Sequence, residues 1–394
     1  MITEIQKRIY RYSENIFPNY SVSSSLKNKS LKSTNALIYH GFVCLHLGYI
    51  DEANSIKELC IKEFKKNKKK HSINNKKHSG FYKDLHKVAL LTQLICSIQN
   101  NFKDIETFLK NALDQRNYNL IANKTSFIKK IKSLKMNNSW HDSNIIMAMF
   151  SLRFAYMEGF TNDEGLNSCI DYLVKIQNSR TGLWHSKNNF GGDLNAMAGT
   201  YHYLPLFLAI NRRIPYEEKI ITSTFKLYIN KGHFSAPTGH SCIDLDAHAI
   251  LFYCKKNIHN GLNSKVKGMA FDFLENVKYL ANKDGGFSDF PSNYKPKELF
   301  IIILILIYKL ILYKNTYTFL WNLKAIIRTL PIVKNKLKIN SNSDKICSSF
   351  IKESNIFSCW FKLLTIDYAK INEKDLKEKK GTTIYLLPFI GFGL

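Results

Sequence analysis

Acidic side chains are in short supply: 31 Asp and Glu face 57 Lys and Arg, giving a formal net charge of +26 over 394 residues. That balance points first to acidic partners, whether nucleic acid, anionic lipid or a phosphorylated substrate. The lysines are scattered among Asn and Ile, however. Only residues 65–78 (KKNKKKHSINNKKH) form a true basic block, read as a solvated loop between helices. Arg–aromatic interleaving is missing and no known nucleic-acid module is present, so no nucleic-acid partner is expected. Cysteine pairing signals are absent too, since none of the eight cysteines falls in a C-x-x-C pair. The opening segment M-I-T-E-I-Q-K-R-I-Y is charged where a secretory leader is apolar. Both features predict free thiols in a reducing, cytoplasmic compartment. Pro/Gly/Ser-rich linkers are also lacking, which predicts a single domain over residues 1–394. Finally, no apolar run reaches the ~20 residues that span a bilayer. The longest candidate, residues 299–313 (LFIIILILIYKLILY), is interrupted by Lys309. It reads first as a fully buried helix of a large core, and second as a membrane-dipping helix that gives the protein peripheral membrane contact.

What is present is helical texture. Hydrophobic residues make up 45% of the chain and aromatics 13%, enough for a sizeable core, so disorder is excluded. Val88, Leu91, Ile95 and Ile98 fall on one helical stripe. Ser33-Thr34-Asn35 ahead of Ala36-Leu37-Ile38 reads as a helix start. Hairpin-like alternation is scarce, so the fold class is all-α.

A repeat decides the architecture. Asp142-Ser143-Asn144, Asp193-Leu194-Asn195 and Asp244-Leu245-Asp246 recur at intervals of 51 residues. A Gly-x-aromatic turn keeps nearly the same rhythm at Gly182-Leu183-Trp184, Gly232-His233-Phe234 and Gly285-Gly286-Phe287. Amphipathic helices precede the turns, carrying Leu166, Ile170, Leu173 and Val174, then Ile221, Phe225 and Tyr228, then Met269, Phe273, Val277 and Leu280. A helix pair cannot bury its apolar face alone, so the pairs must stack, and closing the array gives an α/α toroid of about six pairs. The clearest repeats cover residues 130–290; an irregular insertion follows at about 299–342, and the apolar tail 386–394 is expected to pack back as a strap.

The densest cluster of reactive side chains lies in residues 232–254, where His233, His240, Cys242 and His248 surround Asp244 and Asp246. Recurrence itself favours a capping role for Asp142, Asp193 and Asp244, because a cap is needed in every repeat and a catalytic acid only once. Asp246 stands apart, since the other copies carry Asn144 and Asn195 there. Coupling to Asp244 would raise its pKa, whereas a helix N-terminus would lower it. Trp184, Tyr201, Tyr203, Phe234 and Trp360 are expected to serve inter-repeat packing before they line a cation-stabilising cavity.

With Tyr172-Leu173, Gln177 and Gly182-Leu183-Trp184, the chain resembles the terpene cyclase and protein prenyltransferase superfamily, whose toroids carry F/Y-L-x-x-x-Q-x-x-x-G-x-W repeats. The copy here has one extra residue between Gln and Gly, and Tyr279-Leu280 with Gly285-Gly286-Phe287 is a shortened one. The resemblance implies that the Gln and the aromatic tie adjacent repeats together. It also implies a D-x-D-D acid motif, which Asp244-Leu245-Asp246 fits in three positions and Ala247 breaks in the fourth. Asp246 then stands as proton donor, Asp244 as its partner, and His233, His240, Cys242, Trp184 and Trp360 as substrate-contacting groups. Prenyltransferases of the superfamily hold zinc with Asp, Cys and a distant His. Here Cys242 and Asp244 come in reverse order, and Ser358-Cys359-Trp360 stands where the His is needed, so neither metal nor cofactor is expected.

Three functions follow as expectations. One is general-acid chemistry on an isoprenoid or lipid-like small molecule. Another is carbohydrate processing with paired carboxylates such as Asp193 and Asp246. The third is a non-catalytic scaffold that kept the toroid and lost the motif.

Overall fold

Apolar residues at helical spacing form helices throughout the computed structural model, which describes residues 34–71, 81–99, 102, 104–187, 189, 191–235, 241–254, 260–277, 279–280, 287, 296–329 and 356–374. Among the described residues there are fifteen helices and no strand. In chain order they are α1 (Thr34–His46), α2 (Ile50–His71), α3 (Phe81–Gln99), α4 (Ile105–Ala112), α5 (Gln115–Ala122), α6 (Lys124–Lys132), α7 (Ser139–Tyr156) and α8 (Glu164–Ile176). Then come α9 (Gly192–Ala209), α10 (Glu217–Phe225), α11 (Ser241–Cys254), α12 (Asn260–Val277), α13 (Pro296–Tyr313), α14 (Thr316–Thr329) and α15 (Ile356–Lys374). The basic block at 65–78, expected as a loop, instead continues α2 as far as His71, and the rest of it lies outside the described residues. The tail 386–394, residues 330–342 and the pair Gly285-Gly286 lie outside them as well.

Helix packing follows an order. α1 packs on α3, α3 on α7, α7 on α9, α9 on α11, α11 on α15, and α15 on α1. Other helices lie against these: α2 on α1 and α3, α8 on α7, α10 on α11, and α12 on α15. A helix that is apolar on every side has to be enclosed. α11 meets that condition fully, with all its residues buried, and α9 nearly so. The main core cluster accordingly runs from Leu37 to Ile371. One strong polar tie crosses it. Arg153 of α7, buried, forks onto Asp163 with contacts of 2.6 and 2.7 Å and donates from Nη1 to the carbonyl of Ile121 at 2.7 Å. Asp163 in turn caps α8 by accepting from the Leu166 N–H.

The Gly-aromatic turns join one repeat to the next. Gly182 and Gly232 have φ of 74° and 79°, the left-handed region that glycine enters without strain. A Cβ on Gly182 would lie 2.7 Å from the backbone N of Ile220 in α10, and one on Gly232 would lie 2.3 Å from Cβ of Phe273 in α12. Each turn therefore rests directly on the helix that follows it, α10 or α12. Gln177 donates to the carbonyls of Gly182 (2.7 Å) and Pro215 (3.0 Å), bridging two repeats. The Trp184 indole donates to Leu173 O at 2.7 Å, and Trp184, Phe234 and Phe287 are all fully buried. Gly232→Ala is expected to cost at least ~1–3 kcal/mol from backbone strain alone, with the clash against Phe273 adding to it; the shift of the urea midpoint measures it.

The expectation of a fully buried helix at 299–313 is corrected. α13 buries only one stripe: Ile302 and Leu306 join Ile229 and Ile326 in a small second cluster. Its opposite face, including Phe300, Leu304, Tyr308 and Ile311, is exposed. Among the described residues no helix is long and apolar enough to cross a membrane.

Candidate functional site

The repeated aspartates are not helix caps. Asn138 caps α7 by accepting from the His141 N–H, and Gly191 occupies the cap position of α9. Asp142 and Asp244 are the fourth residues of their helices and Asp193 the second, all within the first turn. Each helix begins upstream of its aspartate, so the carboxyl is not the group that caps it.

The Asp244 carboxyl instead builds a closed charge cluster. Oδ2 accepts from Lys362 Nζ of α15 at 2.7 Å and from His233 Nδ1 at 2.8 Å; Oδ1 accepts from the Phe234 backbone N–H at 3.1 Å. All three side chains are buried. Burial alone pushes the Asp244 carboxyl up, but Lys362 and His233 prevail and hold it well below the usual carboxylate range. Burial pulls His233 below its ordinary value despite Asp244, so the neutral ring donates from Nδ1. Lys362 Nζ also sits 5.4 Å from the ring centroid of Phe273, which presents its π face to the cation. His248, lowered to about 4 by burial, donates from Nε2 to the Gly232 carbonyl at 3.0 Å. The cluster thus pins the Gly-aromatic turn, α11 and α15 to one another.

Asp246 is the opposite case. It is 2% exposed, yet its Oδ2 has no hydrogen-bond partner among the described residues. Burial, and then the negative charge of Asp244, push its pKa well above the usual carboxylate value. Asp246 is the sixth residue of α11, beyond the first turn where the helix dipole could oppose that rise. Two carboxyls two residues apart are therefore driven in opposite directions: Asp244 toward the anion, Asp246 toward the protonated acid.

One phenol lies within electrostatic reach of the acid, and two more extend from it. The Tyr201 hydroxyl of α9 is buried without a partner among the described residues, and its pKa is raised by burial and then by Asp246. Tyr253 of α11 and Tyr368 of α15 share a hydrogen bond of 3.0 Å. Buried polar atoms are rarely left unsatisfied, and a pair of them in one place commonly marks a bound water or ligand.

The other expected site residues scatter. His233 is buried and hydrogen-bonded to Asp244. Trp184 packs on Tyr203 and Phe207 inside the core. Trp360 stacks on Phe42 at 5.3 Å and meets His46 edge-on. Cys242 is buried at the start of α11, and His240 lies outside the described residues. Asp193 lines a cleft with Lys226, Lys309 and Tyr313 that Asp246 does not share. Among the described residues no group of three His, Cys, Asp or Glu is arranged to hold a metal ion. Lys362 is absent from the expected site residues, and Tyr201 is expected there only as a packing aromatic. Lys362 carried a signal, a lone lysine in the apolar run W-F-K-L-L, where a buried charge demands a partner. Tyr201 carried none beyond being aromatic.

Fold and site together define an all-α protein with a charge-clamped aspartate and, two residues on, a buried aspartate whose Oδ2 has no partner among the described residues, both on one fully buried helix. Comparison with known proteins finds no matching family model, no matching curated protein and no matching solved structure.

Proposed function

We propose that the chain is a single-domain α/α toroid of the terpene cyclase and prenyltransferase kind, and that Asp246 is a general acid acting on an isoprenoid or lipid-like substrate inside the ring. Support for the ring comes from the contact order α1, α3, α7, α9, α11, α15 and back to α1, with α2, α8, α10 and α12 each packed on a member of that series. The observation that carries the acid is the unpartnered Oδ2 of a buried, neutral Asp246. Asp244 acts through charge: fixed as an anion by Lys362 and His233, it raises the pKa of Asp246 and keeps the proton in place. Pushing the pKa values of two titratable groups apart is how a fold assigns one of them to proton donation.

The raised pKa also narrows the chemistry. A carboxyl that holds its proton tightly is a weak donor to an alkene carbon and a competent one to an oxygen, such as that of an epoxide or a leaving alkoxide. The substrate oxygen takes the proton from Oδ2 as its C–O bond breaks, and the cation left on carbon is captured by water or by a neighbouring alkene with loss of a proton to the Asp246 carboxylate, with the Tyr201 ring nearby to stabilise it. With a terminal epoxide of a farnesyl chain as probe, wild type is expected to release ring-opened or cyclised product. Asp246→Asn is expected to lose ~10²–10⁴-fold in rate, the usual worth of a positioned general acid. Because the protonated form acts, activity falls as pH rises through the elevated pKa and not on the acid side. Full turnover by Asp246→Asn removes the proposal.

A non-catalytic scaffold is the second reading, favoured by the complete burial of α11. It predicts no turnover by wild type and no effect of Asp246→Asn on ligand-induced thermal shifts. For the carbohydrate reading, the cleft that Asp193 lines does not include Asp246.

A further inference from the structure

α13 and α14 form a helix pair whose outward side is apolar. Of the eighteen large hydrophobic residues exposed among the described residues, eleven fall between Phe300 and Ile327. Phe300, Ile301, Leu304, Ile307, Tyr308 and Ile311 recur at three- and four-residue spacing on α13, opposite the stripe that packs on α14. A contiguous apolar surface of this kind on a folded protein marks a binding face.

Charge identifies what binds. Residues 296–329 carry Lys297, Lys309, Lys314, Lys324 and Arg328 against the single acid Glu298. Lys297, Lys314 and Lys324 are exposed, and Lys226 and Lys309 hold their ammonium groups 5.8 and 6.0 Å from the Tyr313 ring centroid at the end of α13. An apolar helical face edged by lysines and tyrosines matches the boundary between acyl chains and anionic headgroups. A second copy of the chain fits poorly, because a two-fold contact on this face sets the same lysines against one another. The face cannot cross the bilayer, since no described helix is long and apolar enough.

We propose that the outward face of α13 and α14 docks the protein on an anionic membrane surface, lying in the interface with its Ile, Leu and Phe side chains among the acyl chains and its lysines at the headgroups. The proposal stands independently of any chemistry at Asp246.

The test is co-sedimentation of the full-length protein with vesicles of phosphatidylcholine alone or mixed with phosphatidylserine. Binding is expected to the mixed vesicles and to weaken with added salt. Leu304→Asp with Ile311→Asp should weaken binding at least ~10-fold through lost apolar burial. Lys297→Glu with Lys314→Glu and Lys324→Glu should lower it about fivefold per lysine and abolish the preference for phosphatidylserine. All five side chains are exposed, so a retained thermal melt verifies the fold. Should the aspartate variant fail to fold, the lysine variant carries the test alone. Equal binding by wild type and variants overturns the proposal. So does absence of vesicle binding, whether the protein is monomeric or forms a dimer that Leu304→Asp dissociates; the dimer identifies a second copy as the occupant.

Discussion

Lys362→Met is expected to lower the unfolding free energy by about 3–5 kcal/mol, the usual cost of removing one member of a buried ion pair. The cause is what remains. Asp244, fully buried, keeps only His233 and the Phe234 N–H, and its desolvated charge is no longer balanced. Combining Lys362→Met with Asp244→Asn should recover much of the loss, because a neutral amide can still accept from Phe234 N–H and needs no counter-charge. Urea unfolding followed by helical circular dichroism measures both, and strictly additive losses would contradict the coupling. The same cluster sets an acid dependence. The folded pKa of Asp244 is depressed, so its contribution is fully present above the ordinary value of 3.8 and fades as pH falls through the lower folded value. That acid-side slope should be missing from the double variant.

Asp246→Asn is expected to do the reverse and stabilise the protein at neutral pH. A folded pKa raised above 3.8 means that the unfolded chain releases the proton while the folded chain keeps it. Folding therefore loses stability as pH climbs, beginning near 3.8 and continuing until the elevated folded value is reached. Within that window the advantage of the asparagine variant should grow by about 1.4 kcal/mol per pH unit. Unfolding free energies of both proteins across the range measure it, and a difference that stays flat with pH would contradict a buried neutral acid. Gain in stability together with loss of turnover is the pattern of a residue kept for function against its folding cost.

The helices were legible because their apolar spacing is local. α1, α3 and the helices ahead of the turns fall where the stripes put them. The turns were legible because a glycine at positive φ and a buried aromatic are each dictated by their own few residues. The role of the repeated aspartates was misread for the same reason: a cap and a first-turn residue differ by a helix start only three or four positions away. The peculiarity of Asp246 was legible as a charge replacing Asn144 and Asn195, but the sign of its pKa shift was not. That sign depends on Lys362, 118 residues from Asp244, which fixes the neighbouring charge, and on burial that only the packing of α9 and α15 creates. Residues 299–313 were misplaced because apolar composition tells that a face must be covered, not by what.

Infrared difference spectroscopy of wild type against Asp246→Asn at neutral pH tests the neutral acid most directly. A protonated-carboxyl C=O band is predicted in wild type, absent from the variant and unchanged by Asp193→Asn. A difference spectrum showing only carboxylate bands at Asp246 would contradict it.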